Sequence, residues 1–188
     1  MKAQRYIIDY PEHVQGAILA CTVANADGLA QERVVQHVKE WGTPEQYEIW
    51  RTNALAKGLI SADEYMKKMA PLYHGKDRFN EREALESNMR FRKTDEVTQY
   101  QFSGELADMD QFNLLPELPG VDLPCLILSG GKDFITDMEA NLEIHKAIPN
   151  SEFHVIHEDA SHEIFADYPE IVFPIIDDFV KRNFKPDV

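Results

Sequence analysis

The stretch EDASHEIFADYPE, residues 158–170, sets His162 between small residues, after a strand-like run and before a helix-like one. Imidazole is the side chain whose ordinary pKa lies nearest neutrality, so a histidine in such a loop is suited to carrying a proton. Earlier in the chain, SGGKDFITD follows the apolar run Leu123 to Leu128, and Gly130 and Gly131 permit a tight turn that presents Asp133 from a loop. One helix and one strand separate the two residues, which puts both at the carboxyl edge of a parallel sheet, where such sheets build their sites. A carboxylate beside an imidazole fixes its tautomer and stabilises the imidazolium. Taken alone, Asp133 reads as a cap or turn residue. Its pairing with His162 is what gives it a chemical role.

The other candidates read as structural. His154 and His157 fall in the alternating run SEFHVIHE, and His13, His37, His74 and His145 lie on helices or at helix ends without ligand spacing. Cys21 and Cys125 sit in the apolar runs GAILACT and LPCLILSG, so both read as small buried hydrophobes, and no metal site is expected. Met66 and Met69, with Tyr65, Leu72 and Tyr73, form a helical packing stripe; above a pocket, packing and ligand lining coincide.

The elements that must hold Asp133 and His162 follow from hydropathy patterning. AQRYIIDY reads as a short amphipathic helix stopped by Pro11, and GAILACT as a buried strand. From about Asp27 to Gly104 the periodicity is helical: LAQERVVQHVKEW, then TPEQYEIWRTNALAKG and SADEYMKKMAPLYHG opening on the capping residues Thr43 and Ser61, then NEREALESNMRF and TDEVTQYQF. The last third alternates: LPCLILSG strand, DMEANLEIHKAIP helix, SEFHVIHE strand and YPEIVFPIIDDFVKRNF helix. Strand, helix, strand, helix implies right-handed crossovers and a parallel sheet, an α/β fold.

Composition narrows the partners. The chain has 188 residues, 33 acidic against 19 basic, with a formal charge of -14, which argues against nucleic acid and against an anionic membrane as the main partner. No run approaches the roughly 18 apolar residues of a membrane span, and the first residues show no signal-peptide pattern, so a cytoplasmic location is the default.

LPCLILSGGKD followed by IPNSEFHVIHEDASHEIFADYPEIVFPIIDDFVKRNF resembles the C-terminal part of an α/β-hydrolase: a strand and G-x-x-D loop with the acid of the catalytic triad, then an A-S-H loop with its base. YIIDYPEHVQGAILACT resembles the helix and strand that follow the nucleophile elbow, and the helical stretch stands where the family inserts its cap. The Y-P-E-H-V turn and the style of the cap are closest to the proline iminopeptidase group of serine peptidases. The resemblance implies a core formed by residues 1–26 and 105–188, a helical cap over residues 27–104, Asp133 as triad acid and His162 as triad base. It implies acyl transfer on a small ester or amide with no cofactor.

Two departures bear on that expectation. The family's nucleophile sits in G-x-S-x-G, and none of the serines at 61, 87, 103, 129, 151 and 161 has that setting. Met1 therefore reads as an internal methionine of a longer protein, and the chain as a C-terminal half, inactive alone. Aminopeptidases of this group hold the substrate's amine with acidic groups, whereas here Phe134 follows Asp133, and Gln99 and Gln101 stand near the end of the cap, with Glu96 as the carboxylate that could substitute. Phe134, Gln99 and Glu96 are the candidate substrate contacts, and esterase, lactonase or amidase activity stays open beside peptidase. The expected partner is a small molecule or short peptide. The alternative is a non-catalytic fragment or interaction module that self-associates, or pairs with a missing N-terminal half, through an unpaired strand at Gly16 to Thr22.

Overall fold

The computed structural model describes residues 2–25, 31–55, 57–75, 78–79 and 112–184. Three short strands form one parallel sheet in the order β1 (Ala17–Ala20), β2 (Cys125–Ser129), β3 (Ser151–Val155). The register sets Ala20 beside Leu128, and Leu128 beside His154.

All five residues of β2 are buried, which explains its unbroken apolar run: a central parallel strand is covered on both faces. Its side chains alternate between two cores, as the period of two requires. Cys125 and Ile127 join Ile7, Leu19, Leu118, Ile144 and Ile148 on one face, while Leu126 and Leu128 join Ile164, Tyr168, Val172 and Phe179 on the other. The first face is closed by α1 (Lys2–Asp9) and α5 (Met138–Ala147), the second by α6 (Ile164–Asp167) and α7 (Pro169–Asn183). Burying a side chain of the Val, Leu, Ile or Phe type is worth about 1.5–3 kcal/mol, so these two faces hold the strand ends in place.

Helix α1 stops before Pro11, and its buried Gln4 reaches across to donate to the Val23 carbonyl at 3.1 Å, fixing the chain as it leaves β1. Helix α5 begins at Asp137, whose carboxylate accepts from the Ala140 N–H at 2.8 Å.

Between β1 and β2 the described chain is helical: α2 (Gln31–Trp41), α3 (Pro44–Arg51) and α4 (Ala62–Tyr73). Thr43 and Gln46 form a reciprocal capping box at α3, and the Ser61 hydroxyl accepts from the Glu64 N–H at 3.2 Å. Helix α3 is shorter than the periodicity predicts. The Thr52 hydroxyl donates back to the Glu48 carbonyl at 2.6 Å and Asn53 takes φ 52°, a left-handed residue that ends the helix. Met69 is fully buried against Ile49 and Ala54, in the packing role its stripe predicts. Arg33 ties α2 to the main body through Asp137 at 2.6 Å.

The expected helices NEREALESNMRF and TDEVTQYQF, and with them Glu96, Gln99 and Gln101, lie outside the described residues. Among the described residues, no helix is long and apolar enough to cross a membrane.

Candidate active site

Two loops leave the carboxyl ends of β2 and β3 and pack backbone to backbone. A Cβ on Gly130 would lie 2.2 Å from the Ser161 carbonyl oxygen, and one on Gly131 would lie 2.6 Å from that of Glu158, so neither position has room for a side chain. The Gly131 N–H donates to the His157 carbonyl at 3.0 Å and the Lys132 N–H to that of Ala160 at 2.8 Å. These contacts deliver the next residue of each loop, Asp133 and His162, to the same spot.

Asp133 is fully buried, and its carboxylate is held from four directions. Oδ1 accepts the N–H groups of Ile135 (3.0 Å) and Thr136 (2.9 Å), while Oδ2 accepts the Thr136 hydroxyl (2.7 Å) and Nδ1–H of His162 (2.8 Å). The His162 side chain keeps 30% of its exposure, so the ring joins a buried acid to a partly open surface. With Nδ1 engaged, Nε2 is the nitrogen left for a reacting group.

The electrostatics follow from this geometry. Burial alone would push the Asp133 carboxyl up, but the hydrogen bond and charge of His162, with the donors of Thr136, outweigh it and hold the carboxyl below its ordinary value. Burial likewise acts to lower His162, and the hydrogen bond and charge of Asp133, helped by Glu163, more than offset it, so the imidazole sits above its ordinary value. Each partner favours the charged form of the other.

Helix α4 grips the histidine loop on both sides. The Ser161 hydroxyl donates to the Leu72 carbonyl, and the Glu163 N–H donates to the Tyr73 carbonyl at 2.8 Å. The Tyr73 ring stands edge-on to His162 at 6.2 Å and to Phe134 at 5.0 Å. Just beyond, His74 Nδ1 is 2.8 Å from Asp167 Oδ1, and Asp167 Oδ2 accepts the Gly75 N–H at 2.6 Å, joining the end of α4 to α6. Neither α6 nor this second His–Asp pair is expected from the sequence: one is a four-residue helix, and the other joins residues far apart in the chain.

The other candidates fare differently. Phe134 is only 1% exposed, packed among Val34, Val38, Trp50 and Tyr73. Two aromatic rings and two valines give Phe134 a packing role beside Asp133. It borders a cleft of about 430 Å³, together with Trp41, Leu72, His74 and Lys132, and His162 is not among the residues around that cleft.

Cys21 is the residue that the sequence reading missed. It lies at the carboxyl end of β1 with φ 45°, an unfavourable left-handed conformation for a residue with a Cβ, and its N–H donates to the Leu128 carbonyl at 2.9 Å. That bond carries the thiol to the level of the β2 loop, where a ligand atom from each of Cys21, Asp133 and His162 lies within 4.8 Å of the others. Burial first, then the charge of Asp133, pushes the thiol well above its ordinary pKa. The signal available in the sequence was position: Cys21 ends an apolar strand, as Asp133 follows one.

No protein-family model matches the chain, and no curated protein matches it in sequence. Solved structures do match in fold. BpoC from Mycobacterium tuberculosis H37Rv aligns over 97% of this chain and 63% of its own at 20% identity, with a TM-score of 0.67. A proline iminopeptidase from Mycobacterium smegmatis aligns over 96% of this chain and 61% of its own at 16% identity, with a TM-score of 0.67. MGS-M2, an α/β hydrolase from a deep-sea metagenome library, aligns over 99% of this chain and 62% of its own at 16% identity, with a TM-score of 0.60. The chain thus spans less than two thirds of the length of each structure it matches. Over that length, the three-stranded parallel sheet flanked by helices matches part of the α/β-hydrolase fold.

Proposed function

We propose that this chain supplies the acid and base of a hydrolase that performs acyl transfer on a small ester or amide. The observation that carries the reading is the 2.8 Å bond between Nδ1 of part-exposed His162 and the buried carboxylate of Asp133. Asp133 orients the ring and stabilises the imidazolium, and Nε2 takes a proton from an attacking hydroxyl and returns it to the leaving group. The sequence has no G-x-S-x-G, so the attacking group in this reading is not one of these 188 residues. Helices α2 to α4 form the cap, and the structures similar in fold include ones named esterase and proline iminopeptidase, which brackets the substrate class. With a phenylalanine, Phe134, directly after Asp133, the amine-binding acid of an aminopeptidase is not supplied at that position, which favours ester or amide substrates without a free amine.

Aryl-ester and proline-arylamide hydrolysis by the chain alone, and by the chain joined to whatever is encoded directly upstream of Met1, tests this. The chain alone should show no turnover above a His162→Ala control, and a joined form carrying an elbow serine should show turnover that His162→Ala abolishes. Turnover that survives His162→Ala in the joined form would remove His162 from the mechanism.

A second reading rests on β1. Among the described residues it pairs only with β2, its other edge carries no strand, and Ile18 on it is 38% exposed. Such an edge is a template for another chain, and a non-catalytic module associating there is the competing reading.

A further inference from the structure

Cys21 and Asp133 are separated by more than a hundred residues and by the whole helical segment, yet with His162 they present a thiol, a carboxylate and an imidazole at one place. We propose that Cys21 Sγ, Asp133 Oδ2 and His162 Nδ1 form a binding site for a borderline-soft divalent cation of the zinc type. A tetrahedral zinc with Zn–S near 2.3 Å and Zn–N and Zn–O near 2.0 Å holds its ligand atoms roughly 3.3–3.6 Å apart. Oδ2 and Nδ1 stand 2.8 Å apart, and the sulfur is within 4.8 Å of both groups. Closing the set therefore takes a shift of roughly an ångström at the sulfur and a slight opening of the His–Asp pair.

The donor set selects the ion. One thiolate and one imidazole favour zinc over magnesium or calcium, which take oxygen ligands. The outer contacts that orient ligands are present as well: Ile135 and Thr136 N–H groups hold Oδ1, and the Thr136 hydroxyl holds Oδ2. Asp133 is fully buried and His162 keeps part of its exposure, and three protein ligands leave the fourth coordination position to water.

The proton balance is definite. The Cys21 thiol gives up its proton, and Nδ1 gives up the one it shares with Asp133. A neutral His162 regains one proton at Nε2, so one proton leaves per cation; an imidazolium already holds that proton, so two leave. In the loaded state Nε2 carries a proton and accepts none, so the cation-bound and proton-accepting states of His162 exclude each other. The site uses residues of the hydrolase reading but does not rest on it, because binding is read on the chain alone with no substrate.

The test is titration of Co²⁺ into the purified, reduced 188-residue chain, followed by Zn²⁺ competition. We expect one equivalent of Co²⁺ to give a near-ultraviolet thiolate-to-cobalt band together with the visible bands of a tetrahedral site, both bleached by Zn²⁺. Cys21→Ser should abolish the thiolate band and weaken Zn²⁺ binding roughly tenfold or more, and His162→Gln should weaken it comparably. Cys125→Ser, in the core, should leave the band in place. Circular dichroism melts check folding, and because His162 is part-exposed, His162→Gln decides the matter should Cys21→Ser fail to fold. Absence of a thiolate band in the folded wild-type chain, a band that survives Cys21→Ser, or Zn²⁺ affinity unchanged in His162→Gln would overturn the proposal.

Discussion

Replacing Asp133 by asparagine keeps the shape of the side chain and removes its charge. Oδ1 can go on accepting from Ile135 and Thr136, and the Thr136 hydroxyl can rotate to accept from the new amide instead of donating. The loss is therefore concentrated on the single bond to His162, which changes from charge-assisted to neutral and obliges the ring to present an unprotonated Nδ1. A bond of that kind is worth about 1.5–3 kcal/mol. A loss of roughly 2 kcal/mol corresponds to a fall in Tm of roughly 4–8 °C for a chain of this size. The pH dependence has a sign. His162 is raised in the folded state, so its contribution is fully present below an unfolded pKa of about 6.5 and is lost as pH rises through the folded value. Asp133 is depressed, so its contribution is present above its unfolded pKa and is lost as pH falls through the folded value. These are two views of one interaction and count once. Urea melts with a chelator present should show a larger Asp133→Asn penalty at pH 5.5 than at pH 9, and the His162 Cε1–H resonance should titrate at lower pH in the variant. An equal penalty at both pH values, with the His162 titration unmoved, would refute the coupling.

Gly130→Ala forces a Cβ to within 2.2 Å of the Ser161 carbonyl and should cost about 3 kcal/mol in a urea melt while displacing the His162 resonance, because the two loops must part. Thr43→Ala removes one half of a capping box and should cost about 1 kcal/mol, with the His162 resonance unchanged. Ile18→Lys places a charge on the open edge of β1; light scattering over a concentration series should show less self-association than in wild type, and an identical profile would remove that edge as an interface.

The parts of this molecule that could be read from its sequence are those set by local patterning. The run CLILS declares a strand covered on both faces because its first four side chains are apolar without a break, and Thr43 and Ser61 mark helix starts because their hydroxyls serve backbone groups three residues on. Asp133 and His162 could be placed at strand ends because each follows an apolar run by a few residues. Cys21 could not be joined to them, since its place depends on the register of β1 against β2, which a residue-by-residue reading does not contain. The end of α3 was missed for a related reason: the periodic pattern runs on past Arg51, and the left-handed turn at Asn53 overrides it. The His74–Asp167 pair likewise exists only once α4 has docked.

That docking has a mechanical consequence. Helix α4 contributes Leu72 and Tyr73 carbonyls to the histidine loop and the Tyr73 ring to the side of His162, so the helix and the imidazole share one frame of reference. In an acyl-transfer enzyme built on this frame, a substrate that wedged α4 outward would also drag the proton carrier away from its target. Misfit would then be felt in turnover and not in binding alone, and the wall that measures the substrate would itself be the lever that aims the base.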